Sequence, residues 1–86
     1  MINNATKRFW KAYWSLPEET QNLADKAFAL LKKDPSHPSL RFKKVGKFYS
    51  ARVDKGHRTL AFKQGHELTW VWIGNHNEYD QLLKQS

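Results

Sequence analysis

The sequence predicts an α+β fold: an N-terminal helical hairpin packed on a small antiparallel β-meander, closed by a short C-terminal helix. Three observations predict it. Apolar residues recur at helical spacing as far as Asp34. From Phe48 onward the period changes to two. Two short turn signals, Asp54-Lys55-Gly56 and Gln64-Gly65, separate the β-forming runs, and loops this short join antiparallel neighbours.

The elements follow in order. Thr6 is placed to cap a helix carrying Phe9, Trp10, Tyr13 and Trp14. The 9/13 and 10/14 pairs stand at i,i+4, so all four rings are expected to form one broad apolar stripe. Ser15-Leu16-Pro17-Glu18 has the S-x-x-E pattern of a capping box for a second helix. That helix puts Leu23, Ala27, Leu30 and Leu31 on one face, with Phe28 beside them. Asp34-Pro35 ends it, because a residue before proline resists helical geometry. Pro38 to Gly46 reads as a basic, semi-extended arm. Strands follow over 48–53, with Tyr49, Ala51 and Val53 on one side, over 57–63 and over 67–73. Period two places Trp70 and Trp72 on one face, where packing in the core outweighs stacking on bases. Glu78 to Gln85 forms the closing helix. The hairpin must cover one face of the sheet to bury its aromatics, which leaves the other face open or partly covered.

Residues 1–86 are expected to form a single domain with one modest core. Twelve aromatics make that core feasible, since each buried ring removes a large apolar area from water. There is no cysteine, hence no disulfide and no thiolate metal site, which fits a reducing cytoplasm. The chain starts on a polar stretch, Ile2-Asn3-Asn4, without the apolar block of a signal peptide, and no apolar run is long enough for a membrane span. A soluble, cytoplasmic protein is expected.

Charge is the strongest bulk signal. Residues 37–76 hold eight Lys/Arg against Asp54 and Glu67 alone, a net of +6, whereas residues 1–36 net +2. Such an excess points to a polyanion: RNA, DNA or an acidic protein segment. Four histidines, 37, 57, 66 and 76, lack paired ligand spacing, so neither a metal nor a cofactor is expected. No phosphate loop or nucleophile elbow is present. What remains is Arg41, Lys43, Lys44, Lys47, Arg52 and Arg58, with His76 and Tyr79. Arginine can hold a phosphorane bidentately and an imidazole or phenol can move a proton. These are the parts of metal-free RNA cleavage, but composition does not separate cleavage from plain RNA binding. His76 likewise reads either as a strand terminator after Gly74 or as a catalytic group at a basic rim.

Three segments narrow the choice: LPEETQNLADKAFALLKKDPSHPSLRFKKV, FYSARVDKGHRTLAF and WVWIGNHNEYDQLL. Together they resemble the RelE/ParE superfamily of bacterial toxin–antitoxin modules over nearly the whole chain. The resemblance implies a helical hairpin on a small antiparallel sheet, with a short N-terminal strand from residues 1–5. It implies a type II toxin, most often a ribosome-dependent, metal-independent mRNA endonuclease, and in ParE-type members an inhibitor of DNA gyrase. It further implies a complex with a cognate antitoxin, in which the two proteins form an oligomer. By resemblance, His57-Arg58 matches the aromatic-or-His and phosphate-binding Arg at the start of the second meander strand. Arg52 matches one of two cationic positions on the preceding strand, and Ser50 stands at the other. Gly74-Asn75-His76 matches the Gly-x-His form, closest to YafQ-like toxins, and Tyr79 falls near the catalytic aromatic. The implied catalytic set is His76, Arg58 and Tyr79, with Arg41, Lys43, Lys44, Lys47, Arg52 and His57 contacting RNA.

Overall fold

Thr6 begins the first helix, as its spacing predicts: its hydroxyl accepts from the Phe9 N–H at 3.1 Å. The structure, a computed structural model, describes residues 2–85. The elements are β1 (Ile2–Ala5), α1 (Lys7–Trp14), α2 (Glu18–Lys33), a 3-10 turn (Pro38–Leu40), β2 (Lys43–Val45), β3 (Phe48–Asp54), β4 (His57–Gln64), β5 (Glu67–Asn75) and α3 (His76–Gln85). The sheet order is β1-β5-β4-β3-β2. The meander β2 to β5 is antiparallel, and β1 adds in parallel to β5.

Ile2-Asn3-Asn4 has little strand propensity, yet it forms β1. Pairing with β5 supplies what the residues lack, and the Asn3 side-chain oxygen accepts from the Trp70 indole N–H at 3.0 Å. The expected arm is partly ordered: Leu40 is 1% exposed in its 3-10 turn, and residues 43–45 form the edge strand β2. Ser15 does not open a capping box. It ends α1, its hydroxyl donating to the Ala12 carbonyl at 2.7 Å, and α2 starts after Pro17 without a side-chain cap. The buried residues of α2 are Thr20, Ala24 and Leu31; Leu23 lies on the shoulder of that stripe and is exposed.

The largest departure from simple alternation lies in β5. Leu60 pairs with Trp72 but Ala61 pairs with Trp70, so Val71 is an extra residue on β5. A bulge of this kind reverses which face the following residues point to. Trp70 therefore joins the core under α1 and α2, with Phe9, Tyr13, Leu31 and Ala51, while Trp72 joins a smaller cluster with Leu60 and Tyr79 under α3. The expectation that the two tryptophans share a face fails for this reason. Tyr49, Ala51 and Val53 do share one, against the main core. In α1, Phe9 and Tyr13 are buried, but Trp10 and Trp14 remain 46% and 66% exposed, so the four rings do not form one buried stripe.

Candidate nucleic-acid interface

Two arginines lie on the face of the sheet away from the hairpin, and register decides that they meet. Arg52 on β3 lies directly opposite Arg58 on β4, and cross-strand partners share a face. Like charges so placed repel, and both side chains are half-buried. The protein offsets this with backbone acceptors. Arg58 Nη1 donates to the Asp54 carbonyl at 2.9 Å and to the His57 carbonyl at 3.0 Å, and Arg52 Nε donates to the same Asp54 carbonyl at 3.3 Å. These bonds pin the guanidinium groups and leave the net charge in place. Among the described residues no carboxylate pairs with either arginine. The pair is therefore fit to hold an anion.

The only acid in the adjoining turn is otherwise engaged. The Asp54 carboxylate accepts from the Gly56 N–H at 2.8 Å and meets His57 Nδ1 at 2.9 Å. Burial alone raises its pKa, but the hydrogen bonds from His57 and from the turn backbone, with the charge of the imidazole, hold it below the ordinary carboxylate value. The contact fixes the His57 ring and leaves Nε2 available.

His76 stands beside this turn. His57 pairs with Asn75 across β4 and β5, and the His76 N–H donates to the Gly56 carbonyl at 2.8 Å. His76 is not in a loop after the strand, as the sequence suggested, but is the first residue of α3. Asn75 starts that helix early, its side-chain oxygen accepting from the Glu78 N–H at 2.9 Å. The His76 Nδ1 meets Asp80 Oδ2 at 3.1 Å, one helical turn on, with both side chains half in solvent. Two imidazoles, each held at Nδ1 by an aspartate, thus stand at the turn that joins β3 to β4. Sequence reasoning passed over Asp54 and Asp80. The D-x-x-H spacing across a turn and the i,i+4 spacing of His76 and Asp80 were the signals that could have found them.

Gly74 leaves space that a side chain would fill. A Cβ there would lie 2.5 Å from Trp72 Cζ2 and 3.2 Å from Glu78 Oε1. The glycine admits the indole of Trp72 rather than a ligand. Tyr79 is 7% exposed, with its ring 6.4 Å from that of Trp72 and 5.8 Å from that of His76. It packs α3 onto the sheet. Of the remaining cations, Lys43 pairs with Ser50 and so shares the arginine face, whereas Lys44 pairs with Tyr49 and lies on the hairpin side. Arg41 is exposed in left-handed conformation (φ 46°) after the 3-10 turn. Lys47 stands at the far end of the sheet, over the Phe48 ring at 5.5 Å. It is five residues, about 16 Å, from Arg52 along the strand. The structure sets Arg52 opposite Arg58 and ties the His76 backbone to the turn that joins their strands, while Lys44 lies on the hairpin side and Lys47 at the far end of the sheet. Among the described residues, no group of three His, Asp or Glu side chains is placed to hold a metal ion, and no helix is long and apolar enough to cross a membrane.

This architecture is that of the RelE/ParE toxins. YafQ from E. coli strain BL21(DE3) superposes with a TM-score of 0.73 at 12% identity, over 90% of this chain and 94% of that one. A chain of the RelB–RelE antitoxin–toxin complex from Methanococcus jannaschii gives 0.73 at 13% identity, over 92% and 96%. The YoeB/ParE toxin from Agrobacterium tumefaciens gives 0.66 at 16%, over 88% and 99%. No protein-family model and no curated protein matches the sequence. At these identities the likeness defines the fold, and the fold is the one the sequence resemblance implied.

Proposed function

We propose that this chain is the toxin of a type II toxin–antitoxin module and that it cleaves mRNA at the ribosome, in the cytoplasm, without a metal or cofactor. The observation that carries the reading is the cross-strand Arg52–Arg58 pair, which among the described residues has no carboxylate partner, with two aspartate-held imidazoles at the turn that joins its strands. Attack of a 2′-hydroxyl on its own phosphate gives up the hydroxyl proton to solvent water, builds negative charge on the phosphorane, and requires a proton on the 5′-oxygen as the P–O5′ bond breaks to leave a 2′,3′-cyclic phosphate. Arg58, aided by Arg52, stabilises that charge. His76 delivers the proton, and Asp80 orients its ring. His57 contacts the RNA beside the scissile phosphate. Tyr79, buried against Trp72, acts by holding the first turn of α3 in place. Lys43 and Arg41 extend the basic path, with Lys44 and Lys47 as weaker, more distant contacts. A cognate antitoxin with an acidic or amphipathic segment would cover this face and silence it in a hetero-oligomer.

Single-turnover cleavage on programmed ribosomes tests this, with circular dichroism to confirm folding. Arg58→Ala should lose about 10²–10³ in rate while keeping the shape of the pH profile. His76→Ala should lose about 10²–10⁴ and change that shape, because the proton donor is gone. Near wild-type cleavage by both variants would sink the proposal. In cells, expression should halt translation first. Early loss of DNA synthesis with intact translation would assign the chain to gyrase instead, and RNA binding without any growth effect would leave a plain RNA-binding domain.

A further inference from the structure

We propose that the outward face of α1 is a second RNA-binding surface, on which bases of a single-stranded segment stack on Trp10 and Trp14 while Lys7 and Lys11 neutralise its phosphates. Residues 7, 10, 11 and 14 share one stripe of the helix, and all four are exposed. The opposite stripe, with Phe9 and Tyr13, is buried. A scattered apolar residue on a surface is ordinary, but two tryptophans at i,i+4 with 46% and 66% exposure form a patch.

The two rings are also held. They stack on each other with centroids 6.5 Å apart and planes at 29°. Tyr13 meets the Trp10 ring edge-on at 5.4 Å and the Trp14 ring at 4.9 Å. The Tyr13 hydroxyl in turn donates to Asp25 Oδ1 at 2.7 Å. An exposed ring fixed from beneath loses little freedom when a flat partner lands on it, so the site is pre-organised for stacking.

Charge selects the partner. Residues 2–17 contain Lys7, Arg8 and Lys11 and no acid, and the neighbouring Asp25 is committed to Tyr13. Length argues the same way. Eight residues make a helix of about 12 Å, and lysines interrupt its ring pair. With a width of about 10 Å the helix offers a face of roughly 120 Å², well short of the roughly 800 Å² per partner that a stable protein interface uses. Alternating cations and aromatic faces is the chemistry of sequence-tolerant single-strand binding. The surface is distinct from the arginine pair: α1 packs on β5, whereas the arginines lie on β3 and β4. It would bind RNA whether or not the chain cuts it, so its test is independent of cleavage.

Indole fluorescence of the full chain reads the surface directly, because Trp70 and Trp72 are only 2% and 7% exposed. A short oligo-uridylate should quench the emission, and polyglutamate of matched charge should not, having no ring to stack. Trp14→Ala should weaken oligo-uridylate binding by about 5- to 100-fold, and Trp14→Phe should retain most of it. Lys7→Gln with Lys11→Gln, both on the surface, should flatten the salt slope by about 1.4. Absence of quenching by oligo-uridylate would overturn the proposal. So would an unchanged salt slope in the lysine variant. A Trp14→Ala defect as large towards polyglutamate as towards oligo-uridylate would also overturn it, and would assign the surface to an acidic protein.

Discussion

Under α1 and α2 the sheet is covered by aliphatic and aromatic side chains from six elements, with Trp70 at 2% exposure near the centre. Under α3 it buries only Leu60, Trp72 and Tyr79 as a cluster before giving way to two arginines. The first face is closed and apolar. The second is half closed, and its apolar cluster fixes the position of charged groups that stay near solvent. The main core and the arginine pair thus lie on opposite sides of one sheet, with the backbone of β4 and β5 common to both.

Substitutions on the two sides should separate these roles. Trp70→Ala should cost about 3–5 kcal/mol, measured by denaturant unfolding, since it opens a cavity in the main core. Trp72→Ala should cost clearly less, because its cluster is small and rests on one short helix. Equal losses would show that the α3 side is as much a core as the other, and the comparison would fall. Gly74→Ala tests the α3 side from the backbone. Its Cβ would meet Trp72 at 2.5 Å, so the indole must move, at about 1–3 kcal/mol. Near-ultraviolet dichroism should change at the same time, while an unperturbed spectrum would mean that the ring has room to spare.

A smaller change, about 1 kcal/mol, is expected for Asn75→Ala, which removes the cap of α3. Amide exchange should quicken at the first turn of α3, around His76 and Asn77, and stay slow in α2. Equal quickening in both helices would mean that the two sides unfold as one unit. The gentlest probe is alkali, acting on the hairpin side alone. The Tyr13 phenol is pushed up to about 12, chiefly by its hydrogen bond to Asp25 and then by burial and the charge of that carboxylate. An unfolded tyrosine loses its proton near 10. The folded state therefore loses relative stability as pH rises from about 10 to about 12. Asp25→Asn should abolish most of that dependence, read as the shift of the unfolding midpoint with pH.

Much of the fold was legible locally. Thr6 announced α1, Asp34-Pro35 the end of α2, and the Asp54-Lys55-Gly56 and Gln64-Gly65 turns the meander, because caps and turns act over three or four residues. The cationic pair was legible only as a list of basic residues. That Arg52 faces Arg58, and that Lys44 does not join them, follows from pairing register, which no single strand contains. Asn75 was read as a strand terminator. The Asn-x-x-Glu spacing to Glu78 was present in the sequence, and it marks a helix start.

By itself the sequence determined the start of α1, the end of α2 and the turns of the meander, the excess of positive charge between residues 37 and 76, and the resemblance of its three segments to a toxin fold. All of these are carried by residues close in the chain or by simple composition. Tertiary structure decided the rest. One extra residue at Val71 sends Trp72 to the side opposite Trp70, because side chains alternate with a period of two and a bulge resets the count. Gly74 lies two residues along from Trp72 on the same face, so its purpose depends on where that ring is packed. β1 exists because β5 offers an edge and Trp70 an indole N–H, not because Ile2-Asn3-Asn4 favours a strand. A propensity is a property of a residue, whereas a partner is a property of the fold, and where propensity is weak the partner decides.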